Sequence, residues 1–138
     1  MIRKIVIATD ASEQAGKAFD WGLEAAQKFS AELVVLAVTC PPEPAEVVET
    51  AAVVESATFY YQKHFDVLRA KALAIGVTPR FEIRVGHPAE QIIHLAEQEH
   101  ADLIVMGHRG KTFVERWLLG SISKRVLSYA HCAVTIVR

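Results

Sequence analysis

The 138 residues are one domain's worth of chain, long enough to bury a core without disulfide or metal staples. Fifteen Lys and Arg stand against sixteen Asp and Glu, a formal charge of −1, so no basic surplus drives sequence-independent binding to nucleic acid. No apolar run nears the roughly 20 residues of a membrane span, and the start at Met1-Ile2-Arg3-Lys4 lacks a secretory leader's pattern, so a cytoplasmic protein without membrane partners is expected.

The first predicted element is a strand, Ile5-Val6-Ile7-Ala8, closed by Thr9-Asp10. Ser12 then reads as an N-cap, since a hydroxyl there accepts from N–H groups that a helix start leaves open. Behind it Ala15, Ala18, Phe19, Gly22, Leu23, Ala26 and Phe29 trace the stripe of a helix packed on a sheet. Leu33 to Val38 form a second strand, and Pro41-Pro42-Glu43-Pro44 a loop. The cleanest periodicity follows: Val47, Ala51, Val54, Thr58, Tyr61, Phe65, Leu68, Ala72 and Ile75, with Gly76 where a helix-ending glycine belongs. The third strand alternates Phe81, Ile83 and Val85 with Arg80, Glu82 and Arg84, so one of its faces is wet. A third helix opens on Pro88, carries Glu90 in its first turn and should bury Ala89, Ile92, Ile93 and Ala96. Leu103-Ile104-Val105-Met106 is the fourth strand. A fourth helix after Gly120-Ser121 puts Ile122, Val126 and Tyr129 on one side, and residues 133–137 close the chain as a fifth strand.

Strand and helix in alternation mean a single doubly wound α/β domain over residues 1–138, a parallel sheet covered on both faces. The first, second and fourth strands are continuously apolar and belong in the centre; the third and fifth suit the edges. The order 3-2-1-4-5 meets all five demands, and the chain then reverses direction between strands one and four. Ligands of open α/β sheets bind beyond the strand C-termini at that switch point. Two loaded segments converge there, Thr9-Asp10-Ala11-Ser12 and Met106-Gly107-His108-Arg109-Gly110. The same topology puts Cys40 and Cys132 at opposite ends of the sheet, too far apart for a bridge.

Gly107, Gly110 and Gly120-Ser121 spell G-x2-G-x9-G-S. Glycines at a strand end let backbone N–H groups approach an anion, and a helix starting at Ser121 adds its own N–H groups and dipole. Ser121 and Ser123 supply hydroxyls. These parts make a cradle for a polyphosphate. Gly110-Lys111-Thr112 resembles the end of a P-loop, but Val105 stands where that motif requires glycine. Asp10 either meets a ribose hydroxyl, helps to hold Mg²⁺ or caps the following helix; Arg109 either pairs with phosphate or is a solvated loop residue. His64, His94 and His100 read as surface residues without carboxylate partners, and His108 alone in the crevice makes no metal site. No nucleophile elbow, HExxH or evident Cys/His pair is present, so a dedicated catalyst is not expected.

The stretch MGHRGKTFVERWLLGSISKRVLSYAHCAVTIVR, with KIVIATDASEQA at the start and VGHPAEQIIHLAEQEHADLIVMG between them, closely resembles the universal stress protein family. The resemblance to its ATP-binding branch implies a flavodoxin-like, Rossmann-like domain and a homodimer paired along the fifth strand, Ala133–Val137. It implies an adenine nucleotide, ATP or its AMP and ADP relatives, possible Mg²⁺ at Asp10 and a protein partner not identified by the residues. Ala8, Thr9 and Asp10 would line the adenosine end with Val38 against adenine. Met106, Gly107, Arg109, Gly110, Gly120, Ser121, Ile122 and Ser123 would surround the phosphates and ribose. The alternatives are a slow ATPase or self-phosphorylating protein with Thr112, Ser121 or Ser123 as acceptors, and a partner-binding module that uses no nucleotide.

Overall fold

The computed structural model describes residues 1–41, 47–108 and 120–138; of these, the side chains of 47–49 are not described. Strands β1 (Lys4–Thr9), β2 (Glu32–Thr39), β3 (Arg80–Val85), β4 (Leu103–Gly107) and β5 (Ala133–Val137) alternate with helices α1 (Glu13–Phe29), α2 (Val47–Ala74), α3 (Pro88–Gln98) and α4 (Ser121–Tyr129). All pairings are parallel and the order is β3-β2-β1-β4-β5, as the burial pattern of the sequence required.

Two cores flank the sheet because successive strand side chains point to opposite faces. Ile5, Ile7, Leu33, Val35, Leu103 and Val105 pack with Phe19 and Leu23 of α1 and with Tyr61, Phe65 and Leu68 of α2. Val6, Val34, Leu36, Ile104 and Met106 pack with Ile92 and Leu95 of α3 and Val126 of α4. Helix α1 lies so close over β1 that a Cβ on Gly22 would stand 2.5 Å from Ile7 Cδ1. At the lower end of the sheet the Asp102 carboxylate accepts from the N–H groups of Arg3 and Lys4 at 2.8 and 3.0 Å. Those two bonds hold its pKa below the ordinary carboxylate range.

The helix signals hold, with local differences at the ends. Ser12 caps α1, its Oγ accepting from Ala15 N–H at 3.2 Å. Gly76 has φ +79°, the left-handed angle that favours glycine after a helix. Pro88 opens α3. Phe29, expected in the buried stripe of α1, is half exposed, because α1 ends at Ser30 in a left-handed turn past the sheet. Tyr129, expected on the inner side of α4, is also exposed, at the last residue of that helix. Leu95 rather than Ile93 is fully buried in α3. Ile75 and Ala51, placed on the inner stripe of α2 by spacing, are exposed.

Candidate functional site

The chain reverses between β1 and β4, and their C-terminal ends form the crest on which the sequence had concentrated its polar and glycine residues. Beyond β1 the backbone turns on its own side chains. Thr9 Oγ1 accepts from Ala11 N–H at 3.1 Å, Asp10 Oδ1 from Ser12 N–H at 2.9 Å, and Ser12 Oγ from Ala15 N–H at 3.2 Å. Ala11 is held at φ +65°, uncommon for a residue with a Cβ. Asp10 Oδ1 thus closes a turn just before α1, while the cap on the helix itself comes from Ser12. Within α1 the side-chain cap reaches the Ala15 N–H, and the N–H groups of Ala11 and Ser12 just before the helix are taken up by Thr9 and Asp10.

Beyond β4 the arrangement differs. Gly120, the N-cap of α4, has φ −64° and ψ 156°, angles any residue adopts, and among the described residues no side chain caps the helix. Its glycine is thus not demanded by the backbone angles. Gly120 N–H donates to His108 O at 3.2 Å, and His108 N–H to Val137 O at 2.8 Å. The Ser123 hydroxyl lies 3.1 Å from Gly107 O and 3.3 Å from His108 O, and the residue is buried. One peptide, at His108, thereby fastens the end of β4 to both β5 and α4.

Register and face sort the remaining candidates. Ala8, Val38, Met106 and Ile122 all belong to the core on the α3 and α4 side, and Ala8, Val38 and Ile122 are only partly covered there. Thr9 pairs with Ala37, which sets Val38 level with Asp10 across the β1–β2 gap. The crest thus has an apolar rim of Ala8, Val38 and Ile122 beside the half-buried Gly107 and Gly120, with Ser121 exposed at the mouth of α4. Arg109, Gly110, Lys111, Thr112 and Trp117 lie outside the described residues.

Two residues escaped the sequence reading. Thr39 ends β2 next to Val38, is 4% exposed, and its Oγ1 has no hydrogen-bond partner among the described residues. A threonine closing an apolar strand carries no local signal of that kind. His64 of α2, expected on the surface without a carboxylate nearby, is half-buried and within electrostatic reach of Asp10. Burial first and Lys71 second lower its pKa from 6.5, while Asp10 opposes them. Helical spacing within α2 could not foretell a neighbour on β1. Among the described residues no group of His, Cys, Asp and Glu forms a metal-binding cluster, and Cys40 and Cys132 are both free thiols. No helix among the described residues is long and apolar enough to cross a membrane.

The family model for the universal stress proteins matches residues 1–138. The chain belongs to the universal stress protein family. Universal stress protein MJ0531 of Methanocaldococcus jannaschii is 34% identical over 145 residues, spanning 100% of this chain and 83% of the relative. The structure of UspA from Lactobacillus plantarum superposes with a TM-score of 0.86 at 25% identity, covering 99% of this chain and 98% of the other. Two more distant universal stress proteins share the fold and were solved with nucleotides. One is a complex with cAMP (TM-score 0.69, 23% identity, 99% and 97% covered). The other, from Archaeoglobus fulgidus, holds dAMP (TM-score 0.70, 18% identity, 100% of both chains).

Proposed function

We propose that this universal stress protein binds an adenine nucleotide, ATP foremost, across the β1–β4 crest, and acts in stress response or signalling through nucleotide-dependent conformation or partner binding. The observation that carries the reading is the N-terminus of α4 behind Gly120, without a side-chain cap among the described residues and set at the switch point of the sheet. Free N–H groups and the helix dipole there favour a phosphate. Ala8, Val38 and Ile122 offer the apolar rim that a flat base needs, with Met106 beneath it. Gly107, Gly120 and Ser121, together with Arg109 and Gly110, take the phosphates and ribose. Asp10 is the candidate for a Mg²⁺ that accompanies ATP. Ser123 contributes by holding α4 against β4, which also commits its hydroxyl and makes it a poor phosphoryl acceptor.

The closed start of α1 disfavours a flavin-type site after the first strand, where three side chains already occupy backbone N–H groups. The cAMP and dAMP complexes belong to other proteins; they support an adenine nucleotide as something this fold accommodates. A homodimer along β5 fits the position of that strand at the sheet edge, with β4 its partner on one side. Val134 and Ile136 are then removed from water and the open ladder is paired.

A thermal-shift titration with Mg·ATP, AMP, cAMP and FMN tests the proposal. Ligand at about 100 times its Kd adds roughly 2.7 kcal/mol, a rise of several degrees in a domain this size. Stabilisation by ATP and not FMN is expected. If no nucleotide shifts the transition, the reading fails and a partner-binding module without nucleotide takes its place. Labelled ATP, followed for released phosphate and for labelled protein, separates a carrier from a slow catalyst; neither signal is expected.

A further inference from the structure

Gln91 and Gln98 lie two turns apart on one side of α3, and the fold uses them differently. Gln98 Oε1 accepts from an Arg84 NH2 group at 2.7 Å, a tie between the helix and the edge strand β3. Gln91 stands at the crest end of the helix, half-buried, and its carboxamide hydrogen-bonds to none of the described residues.

The place of that carboxamide is nonetheless set by packing. The chain leaves β3 through Gly86 at φ +151°, an angle open chiefly to glycine. Gly86 N–H donates to Thr39 O, at the end of β2, at 2.9 Å. A Cβ on Gly86 would stand 2.8 Å from Gln91 Nε2 and 3.2 Å from its Cγ, so Gln91 fills the space that a side chain at residue 86 would take.

This space adjoins the apolar rim. Val38 pairs with Arg84, two residues before Gly86. With neighbouring strands about 4.8 Å apart and a rise of about 3.3 Å per residue, Val38 and Gly86 stand roughly 8 Å from each other. Helix α3 covers the face of the sheet to which Val38 belongs. The open carboxamide and the partly covered Val38 thus share one face and one end of the sheet. A carboxamide presents an acceptor beside a donor, the complement of the 6-amino group of adenine and a ring nitrogen next to it.

We propose that Gln91 selects the base: with adenine against Val38, Oε1 accepts from the 6-amino group and Nε2 donates to the adjoining ring nitrogen. This role rests on the adenine-nucleotide site proposed above. It concerns the choice of base, whereas the start of α4 concerns the phosphates.

Calorimetry on the full chain compares ATP with purine riboside triphosphate, the same nucleotide without its 6-amino group, for the wild type and for Gln91→Met. Methionine keeps the length of the side chain and removes both hydrogen-bonding atoms; circular dichroism checks the fold. The wild type should prefer ATP on the order of tenfold. Gln91→Met should bring the preference below twofold by weakening ATP alone. An undiminished preference in this variant, or an equal loss for both nucleotides, overturns the role of Gln91 and leaves the nucleotide site standing. A wild type that binds the two equally does the same without any variant. A wild type that binds neither overturns the nucleotide site itself, and the role of Gln91 with it.

Discussion

Helices α1 and α4 both begin at the C-terminal edge of the sheet, one after β1 and the other near the end of β4, yet they treat their first N–H groups in opposite ways. At α1, Thr9, Asp10 and Ser12 accept from backbone N–H groups and the turn is sealed. At α4, a glycine stands where a capping side chain would be, and the nearby hydroxyl of Ser123 is turned back onto the carbonyls of Gly107 and His108. A cap of the usual kind is worth about 1 kcal/mol. Helix α1 takes that stabilisation from Ser12; among the described residues no side chain supplies it to α4. The proposed phosphate site rests on this difference: a helix start without a side-chain cap among the described residues can offer its N–H groups to an anion.

The largest expected effect comes from closing the open end. Gly120→Val, tolerated by the backbone angles at that position, should abolish ATP binding, a loss beyond 100-fold in Kd by calorimetry, with the fold intact by circular dichroism. Normal ATP affinity in this variant would remove the cradle from residue 120. Gly120→Asp makes α4 resemble α1: the new carboxylate should cap the helix and raise the ligand-free melting temperature while repelling phosphate. A ligand-free protein that melts lower would argue that glycine serves packing there.

Removing the tether comes next. Ser123→Ala should cost about 1–2 kcal/mol of stability in urea unfolding, as expected for a buried hydroxyl bonded to backbone, and should weaken ATP binding in step. Ser12→Ala is the matching change at the sealed helix. It should cost about 1 kcal/mol and leave ATP affinity within a factor of two; a larger drop would move part of the site to α1.

The smallest effect is one of pH. Because His64 is held neutral by burial and by Lys71, its folded pKa lies below 6.5. The unfolded chain then binds more protons as pH falls below that value, so stability declines from about pH 6.5 downward through the folded pKa. His64→Gln should flatten that part of the urea-midpoint profile and change little above pH 7. An unaltered acid slope would leave the decline to carboxylates such as Asp102, whose backbone hydrogen bonds are lost only at lower pH.

Strand order and helix placement were legible because periodicity and burial are local. A wet alternation at Arg80, Glu82 and Arg84 marks an edge, and a run such as Ile5-Val6-Ile7 marks a centre. The candidate glycines Gly107 and Gly120 were legible as a spacing, with Gly110 outside the described residues, but the direction of the nearby hydroxyls was not. Ser121 and Ser123 look equivalent in sequence; two residues of helix turn make one exposed and the other an internal tether. The bond from Ser12 N–H to Asp10 was not legible, because it depends on a turn in which Ala11 adopts a left-handed angle. Thr39 and His64 were missed because what matters for each, a hydroxyl without a hydrogen-bond partner among the described residues and the Asp10 carboxylate just beyond β1, is created by tertiary packing.

The Asp102 clasp on Arg3 and Lys4 joins residues 98 and 99 positions apart. It fixes the alignment in which β1 meets β4, so the central seam of the sheet is also among its longest-range contacts in sequence. During synthesis β1 and β2 can pair early, but the other edge of β1 stays open until residues beyond 100 have left the ribosome. Asp102→Asn should therefore slow refolding more than it lowers final stability.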